Sequence, residues 1–451
     1  MRKNCKNIIY NLTNNKYKRI LTVEREVLIM LIQFSVKNFM SFREKVILAL
    51  NPSTDTEHPE NINKTNGYSA TNLIAIYGAN ASGKTSLFKA MTVALNMIRN
   101  SNIMQVNQPI NMISPFKFDG KTIEEPSEFE FIFVANDNNR YVYGFSADRM
   151  KIREEYLYQY KSQRPSLIFE RTEERYEFKA HRKLLEPLVR FNTPNKLFLA
   201  TATNWNTEST TIPYKWLTEN IVTFTDTQSL TDLSLNLYKG DKCDEFIGFT
   251  EELLQMADIN ISKINFNVKK TKIEMPMGIA APQVMVNGQP VPAVTAQELE
   301  QIEIFTEHMV GEDDNKTKYT LGLREESLGT NQLFILGPFL KEAFEKGIAI
   351  VIDEIDKSLH TFIVKYIINM FRDKEINKAG AQLVFTTHDT SLLSLSTFRR
   401  DQVYFTEKNN KTGVSDLYSL DELPVRKTDN IEKGYLLGRY GAIPYIRGEE
   451  L

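Results

Sequence analysis

A glycine-rich segment near residue 80 has the residue types and spacing of a phosphate-binding loop. "GANASGKT" matches the pattern G-x-x-x-x-G-K-[ST] at every fixed position. In such a loop, backbone N–H groups and the N-terminus of the next helix point at phosphate oxygens. Lys84 would supply a positive charge to the outer phosphates, and the Thr85 hydroxyl is placed for Mg²⁺. The phosphate-contacting residues predicted in this way are Gly78, Ala79, Asn80, Ala81, Ser82, Gly83, Lys84, Thr85 and Ser86.

An apolar run that ends in two acids, "IAIVIDEIDKSLH", predicts the partner of this loop. The run reads as a buried strand, so Asp353 and Glu354 would emerge at its C-terminal end, where ligands of α/β folds bind. We expect Asp353 to hold Mg²⁺ together with Thr85. Glu354 points elsewhere and could polarise an attacking water.

Two further segments could contribute to the same chemistry. In "LVFTTHDTSLL" an apolar strand delivers Thr386, Thr387 and His388 to the same edge of the sheet. A histidine there can hydrogen-bond a γ-phosphate or the attacking water, although a lone histidine after a strand is more often structural. In "REESLGTNQLF" Ser327 could cap the following helix and leave its first N–H groups available for an anion.

The elements around these segments alternate between strands and helices. "NLIAIYG" predicts a buried strand before the glycine-rich loop, and Leu87, Met91, Leu95 and Ile98 form one face of a helix after it. The strand–helix alternation after residue 319 predicts a parallel sheet with crossover helices.

The rest of the chain is predicted to be less regular. Before the glycine-rich loop, the sequence from Leu31 predicts a strand, a turn near Asn38–Ser41 and a second strand, and 51–71 reads as a loop. Period-two alternation from Pro126 to Phe178 predicts an antiparallel meander, and about 181–258 reads as more helical. The stretch 275–293, rich in Pro and Gly, predicts an exposed loop or hairpin.

Composition excludes several classes of protein. The 451 residues carry a formal net charge of -2, so there is no global basic field for nucleic acid. The two cysteines, Cys5 and Cys243, form no disulfide framework, and five scattered histidines show no zinc-site spacing. No apolar run approaches the ~20 residues that span a bilayer, so we expect no membrane partner and a cytoplasmic location.

In this order, the glycine loop, Ser-x-Gly segment, acidic pair and strand-end histidine resemble an ABC-type ATPase head. The chain is more closely similar to the head shared by SMC, RecF and OLD-family ATPases, since "KNFMSFRE" matches the "NF-SF" turn of that group. Closer still, "NLIAIYGANASGKTSLFKAM", "ESLGTNQ", "VIDEIDKSLH", "FTTHDTSLL" and "LLGRYGAIPYI" resemble standalone ATPases of bacterial anti-phage abortive-infection systems, of the AbiL/RloA-like type. The resemblance covers 31–99 and 319–446, and is loose from about 150 to 310.

This resemblance implies an α/β fold, an ABC-type P-loop ATPase head that combines a mixed sheet, crossover helices and an antiparallel β meander with a mostly helical insertion. It implies ATP and Mg²⁺ as ligands, Glu354 as catalytic base, His388 as switch histidine and Lys84 as a catalytic phosphate contact. Ser327 and Gly329 would contact the γ-phosphate bound by a second copy, so that two heads enclose each ATP. The further contacts implied are Asp356, in a loop that communicates across the dimer, and Arg43, after the "SF" turn.

Departures from the family pattern define what the sequence leaves open. "SLGTN" replaces the transporter-type Ser-Gly-Gly-Gln, and Gln105 and Gln108 are only candidates for a metal-contacting glutamine. Neither a long coiled coil nor a following Toprim nuclease domain is predicted. We expect a flexible leader or start-site artefact over 1–29, an N-terminal ATPase lobe over 30–180, an insertion over 181–310 and a C-terminal ATPase lobe over 311–451.

The favoured function is an ATP-hydrolysing, dimerising head that controls a separately encoded nuclease or toxin in anti-phage defence, triggered by nucleic acid or a phage protein. Any assembly beyond the dimer is left open. The main alternative is a RecF- or SMC-like ATPase that binds DNA or acts in its repair. A transporter nucleotide-binding subunit fits the signature poorly, and a slow, structural ATPase cannot be separated from the favoured function by sequence.

Overall fold

The computed structural model describes residues 28–225, 227–257, 259–273, 283–286, 289–292, 297–311 and 316–443. The chain divides into two compact units. Unit 1 comprises Met1–Thr227 and Glu342–Leu451, and unit 2 comprises Gln228–Lys341. The predicted leader lies outside the described residues as far as residue 27. The division into lobes at 180 and 310 stays a prediction.

The strands and helices are numbered here in chain order. The strands are β1 (Met30–Lys37), β2 (Val46–Ala49), β3 (Ile62–Thr65), β4 (Tyr68–Thr71), β5 (Leu73–Tyr77), β6 (Ser127–Val134), β7 (Arg140–Ala147), β8 (Ile152–Tyr160), β9 (Ser166–Thr172), β10 (Arg175–Glu177), β11 (Ile221–Phe224), β12 (Lys263–Ile273), β13 (Gln283–Val286), β14 (Gln289–Pro292), β15 (Gln297–Val310), β16 (Thr317–Gly322), β17 (Ala349–Ile352), β18 (Gln382–Thr386), β19 (Val403–Lys408) and β20 (Ser415–Ser419). The α-helices are α1 (Lys84–Asn100), α2 (Arg182–Leu185), α3 (Phe198–Asn204), α4 (Glu208–Glu219), α5 (Thr227–Tyr238), α6 (Cys243–Met256), α7 (Leu328–Lys346), α8 (Thr361–Arg372) and α9 (Ile431–Leu436).

A seven-stranded antiparallel sheet in unit 1 confirms the predicted meander. Its order is β10-β9-β8-β7-β6-β1-β2. Alternation in β6 buries Phe129, Phe131 and Phe133 on one face while the intervening side chains are only partly buried. The predicted turn between β1 and β2 closes through a bridge between Phe39 and Phe42.

A six-stranded mixed sheet in unit 1 confirms the predicted parallel arrangement. Its order is β11-β17-β18-β5-β19-β20, and every neighbouring pair is parallel except β19 with β20. All residues of β5, β17 and β18 are buried, as expected for strands covered on both faces. Because these three strands are parallel neighbours, the segments that follow them leave the sheet at one edge.

Unit 2 contains helices and an antiparallel sheet. The sheet has the order β12-β15-β16, and is called the β ribbon below. In the predicted insertion, the α-helices α2 to α6 lie between Arg182 and Met256, β11 lies between α4 and α5, and long strands follow. The stretch predicted as a loop or hairpin contains the paired strands β13 and β14. Alternation in "KINFNVKKTKI" is the local reason that β12 is a strand, although it lies in the insertion that was predicted to be mostly helical.

The structure corrects two local predictions in unit 1. The segment 51–71 was predicted to be a loop, but its second half forms the β3–β4 hairpin around Asn66 and Gly67, both of which have positive φ. The helical prediction over 181–258 missed β11, which is only four residues long and extends the mixed sheet beside β17. β11 forms by pairing with β17, which is distant in sequence, and no local pattern predicts such pairing.

Candidate functional site

The glycine-rich loop connects the buried strand β5 to helix α1, as predicted. It leaves the strand after Tyr77 and enters the helix at Lys84, with Gly83 as the N-cap at φ 127°. A non-glycine residue rarely adopts this φ, which requires the second glycine of the pattern. The loop therefore ends at the N-terminus of a 17-residue helix, where backbone N–H groups without intrahelical partners can bind an anion.

Close packing also requires both glycines. A Cβ atom on Gly78 would lie 2.5 Å from the carbonyl oxygen and the Oγ1 of Thr406. A Cβ atom on Gly83 would lie 2.9 Å from Ser415 and 3.2 Å from the ring of Phe42. Thr406 and Ser415 belong to β19 and β20, and neither was predicted to support the loop, because their contact with it depends on sheet order.

The side chain of Lys84 lies inside the loop. Its Nζ donates to the backbone oxygens of Gly78 at 2.6 Å and Ala79 at 3.1 Å. Burial lowers the pKa of Lys84, although the nearby carboxylates, Asp353 foremost, oppose this effect. The ammonium group is thus held in the concave side of the loop, where phosphate oxygens of a bound nucleotide would replace the carbonyl partners.

A chain of hydrogen bonds joins the loop to the acidic strand. The Thr85 hydroxyl donates to Asp353 Oδ2 at 2.7 Å, and the Thr386 hydroxyl donates to Asp353 Oδ1 at 2.6 Å. Thr386 also accepts from the backbone N–H of Glu354 at 2.7 Å. The structure therefore brings together the predicted metal residues Thr85 and Asp353. It adds Thr386, whose position at the strand end was predicted without a role.

Glu354 adopts a backbone conformation that is rare for its residue type. Its φ is 52°, in the left-handed region, where a non-glycine residue costs on the order of 1 kcal/mol or more. The Thr386 hydroxyl fixes this conformation through the Glu354 N–H. The carboxylate is 45% exposed, and its Oε1 lies 3.9 Å from Nε2 of His388. A strained acid that is accessible beside a histidine is the arrangement expected of a general base.

His388 is held by the loop that follows Glu354. Its backbone N–H donates to the Asp356 carboxylate at 3.2 Å and 3.4 Å. The next residue, Asp389, accepts from the Thr361 hydroxyl and from Ser391. Burial raises the pKa of Asp389, but the hydrogen bonds from Thr361 and Ser391 outweigh it, and the net shift is downward. Through these hydrogen bonds, the Asp389 carboxylate anchors the segment directly after His388.

The residues of the glycine-rich loop and the acidic strand end fit a nucleoside triphosphate with Mg²⁺. Gly78 and Gly83 let the loop pack against Thr406 and Ser415, and Ala81 at φ 63° turns the backbone between them, as in backbone loops that bind anions through successive N–H groups. Ser82 is tied to Thr406 at 2.5 Å between hydroxyl oxygens. The predicted contacts Asn80 and Ser86 lie in the same loop and in the first turn of α1.

Thr85 and Asp353 could hold the metal as a hydroxyl and a carboxylate. No group of three or more His, Cys, Asp or Glu side chains among the described residues is placed to hold a metal ion. Phosphate and water oxygens would therefore have to complete the coordination, as Mg²⁺ commonly requires.

Arg43 lies next to the loop but pairs with acidic neighbours. Phe42 packs against Gly83, and the Arg43 Nε donates to Glu44 at 2.9 Å, with Nη1 3.8 Å from Asp119. The nucleotide contact predicted for Arg43 therefore stays a prediction. The two candidate glutamines contact one another, since the Gln108 side chain accepts from the Gln105 N–H at 2.9 Å, and a metal contact from either stays a prediction.

Ser327 and Gly329 belong to unit 2, whereas the glycine-rich loop, the acidic pair and His388 belong to unit 1. Ser327 Oγ accepts from the backbone N–H of Thr330 at 3.1 Å, which is the predicted N-cap of α7. Gly329 lies in the first turn of that helix.

Comparison with known proteins identifies a family. A family model described as "AAA domain, putative AbiEii toxin, Type IV TA system" matches residues 73–394, well over half of the chain. No curated protein matches the chain.

Three solved structures are similar at low identity. The SMC head domain from Thermotoga maritima is 15% identical, with 86% of this chain and 98% of that chain covered, at a TM-score of 0.37. The second structure is an SMC head with an extended coiled coil, bound to the C-terminal domain of ScpA and derived from Pyrococcus furiosus. It is 11% identical, with 91% of this chain and 99% of that chain covered, at a TM-score of 0.39. The recombination mediator protein RecF with ATP is 14% identical, with 87% of this chain and 100% of that chain covered, at a TM-score of 0.35. From the family match, the chain belongs to the AAA-domain family that is described as AbiEii-toxin type, of Type IV toxin–antitoxin systems.

Proposed function

We propose that this protein is an ATP-hydrolysing head that dimerises when ATP binds and controls a separately encoded nuclease or toxin in anti-phage defence. The observation that carries the proposal is the hydrogen-bonded row Thr85–Asp353–Thr386, which places Glu354 beside a complete P-loop. The AAA-domain family match supports nucleotide binding.

Binding follows from the loop and its two partners. Backbone N–H groups from Gly78 to Ser86 and the Lys84 ammonium hold the phosphates. Bound Mg²⁺ would neutralise charge on the phosphates and would be held by Thr85 and Asp353. The direct hydrogen bond between these two side chains holds their oxygens 2.7 Å apart, close enough to share one metal ion.

Glu354 and His388 have separate roles in hydrolysis. Glu354 accepts a proton from the attacking water, whose oxygen bonds to the γ-phosphorus while the bond to the leaving ADP oxygen breaks. His388, with Nε2 3.9 Å from the Glu354 carboxylate, can bond the same water or the γ-phosphate. Thr386 holds the Glu354 backbone, so the base needs little reorganisation.

The second copy would complete the site with Ser327 and Gly329. Ser327 is exposed and begins the 19-residue helix α7, whose N-terminus favours an anion. We propose that it meets the γ-phosphate bound by the other subunit and that Asp356, which holds His388, responds to the same contact. ATP would then lie between two heads.

The defence role rests on the family description, which names a toxin and a Type IV toxin–antitoxin system. No described helix is both long and apolar enough to cross a membrane. We place the protein in the cytoplasm, where a phage protein or nucleic acid could trigger it and where its effector would act.

Substitution of the base tests the proposal. Glu354→Gln should bind ATP with normal affinity, hydrolyse it at least about 10²-fold more slowly and accumulate as a dimer with ATP, because the proton acceptor is lost while the binding groups remain. Turnover, ATP binding and light-scattering mass are the measurements. Glu174→Gln, at an exposed turn, is the matched control. Undiminished turnover would remove Glu354 as the base, and a monomer with ATP bound would refute the dimer.

A further inference from the structure

The β ribbon is joined to the segment that begins α7 by a nearly buried pair of ionisable side chains. His308, on β15, lies with Nε2 2.7 Å from Oε1 of Glu326, and the two side chains are 16% and 8% exposed. Glu326 directly precedes Ser327. Neither residue of the pair has a role in the nucleotide site described above.

A second side chain of β15 reaches the same carboxylate. The Thr306 hydroxyl also donates to Glu326 Oε1. Residues 306 and 308 are two apart on a strand, so their side chains point to the same face of the ribbon. The ribbon therefore supplies two donors to one carboxylate oxygen, and the carboxylate is fixed relative to the strand rather than only to its own loop.

Ser327 is held from the other side by α7. Its Oγ accepts from the Thr330 N–H at 3.1 Å, and the Asn331 amide donates to the backbone oxygens of Glu326 at 3.2 Å and Ser327 at 3.0 Å. Ser327 thus lies between the ribbon and the helix. A carboxylate at this end of a helix is also favourable for the helix dipole.

We propose that His308 and Glu326 are positioning residues, which hold the Ser327 segment so that it can meet the γ-phosphate on a second copy. This proposal rests on the proposed function. The pair acts through Ser327 and does not touch ATP. It also makes the ribbon a route of regulation, since a movement of β15 would shift Glu326 and the exposed serine together.

The test compares variants of the pair in the Glu354→Gln protein, which accumulates the ATP-bound dimer. His308→Ala should weaken the ATP-dependent dimer about tenfold, because the carboxylate loses a charge-assisted hydrogen bond. The affinity of the monomer for ATP, measured at protein concentrations too low for the dimer to form, should stay within about twofold, because the P-loop residues are unchanged. His308→Gln, which can still donate an N–H, should recover the dimer.

Hydrogen exchange provides a readout that does not depend on dimerisation. In the ATP-free monomer, His308→Ala should speed amide exchange over 327–331, because the first turn of α7 loses its anchor. Glu307→Ala is the matched control. Glu307 neighbours His308 on the opposite face of β15 and pairs with Lys318 at 2.7 Å and Asn265 at 2.7 Å, so its loss should leave 327–331 unchanged.

Two results would overturn the inference. An unchanged dimer constant in both His308→Ala and Glu326→Ala would show that the pair does not position Ser327, and unchanged exchange over 327–331 would show the same. If Glu354→Gln forms no dimer with ATP, the proposed function fails separately, and exchange still decides whether the pair holds the segment. A thermal scan identifies a variant that does not fold, and if this is His308→Ala, Glu326→Ala then carries the comparison.

Discussion

Thr386 connects the metal-binding carboxylate and the backbone of the proposed base through one hydroxyl group. It donates to Asp353 and accepts from the Glu354 N–H, and it is fully buried. The Glu354 N–H that it binds belongs to the residue with the left-handed φ of 52°, so Thr386 anchors the strained position. The position of the proposed base therefore depends on a buried residue that is neither the base nor a predicted metal ligand.

Thr386→Val should lower turnover more than it lowers ATP affinity. Valine keeps the volume of the side chain but leaves the Glu354 N–H without its acceptor and Asp353 Oδ1 without the donor from Thr386, each a loss of about 1–3 kcal/mol. We expect turnover to fall about tenfold to a hundredfold while the Kd for ATP changes a few-fold. Thr172→Val, an exposed position on β9, is the control. An unchanged turnover would show that Thr386 does not set the position of the base.

At the scale of elements, the order of the mixed sheet assembles the site. β5, β18 and β17 lie side by side and parallel, so the P-loop, "TTH" and "DE" reach the same edge although up to about 300 residues separate them. β19 and β20 extend the sheet on the other side of β5 and bring Thr406 and Ser415 against the glycines.

The seven-stranded sheet is tied to the helices after it by a buried glutamate. Glu155 accepts from the backbone N–H groups of Phe198 and Leu199 at 2.6 Å and 2.9 Å, at the start of α3. Tyr143 donates to the same carboxylate, and the guanidinium of buried Arg171 lies 3.7 Å from it. One side chain thus satisfies a helix N-terminus inside the core.

Glu155→Ala should destabilise unit 1 by about 3–5 kcal/mol, because it leaves two helix N–H groups buried without their acceptor and removes the carboxylate paired with the buried Arg171 guanidinium. Denaturant unfolding, followed by circular dichroism, measures the change. Glu154→Ala is a matched control, since Glu154 neighbours Glu155 on the exposed face of β8 and its loss should cost little. Equal midpoints for the two variants would contradict this account.

Local patterns predicted the elements that carry chemistry and missed those that depend on distant partners. β5, α1, β17 and β18 have strong periodicity or unbroken apolar runs, and the structure confirms each of them. β11 has four residues and forms because β17 offers an unpaired edge. Among site residues, Thr85 and Asp353, predicted together from their motifs, lie within hydrogen-bond distance. The contacts of Thr406 and Ser415 and the hydrogen bonds of Thr386 required the three-dimensional sheet order.

At the scale of the whole molecule, the proposed function needs residues from two copies. Ser327 lies in unit 2 and the P-loop in unit 1, and ABC-type resemblance implies that one chain's serine serves another chain's ATP. Such an arrangement makes dimerisation and ATP binding a single event, which suits a switch that controls a nuclease or toxin. A closed homodimer of this kind holds two equivalent sites.

Mixing two inactive variants tests this composite site most directly. Lys84→Ala removes a phosphate contact of the P-loop but keeps Ser327, and Ser327→Arg blocks the serine position but keeps the P-loop. A mixed dimer then contains one complete site. With random pairing, half of the dimers are mixed, so the equimolar mixture should recover about a quarter of the unmodified ATPase rate. A mixture as inactive as its two folded components, or a Ser327→Arg protein with full activity alone, would contradict the account.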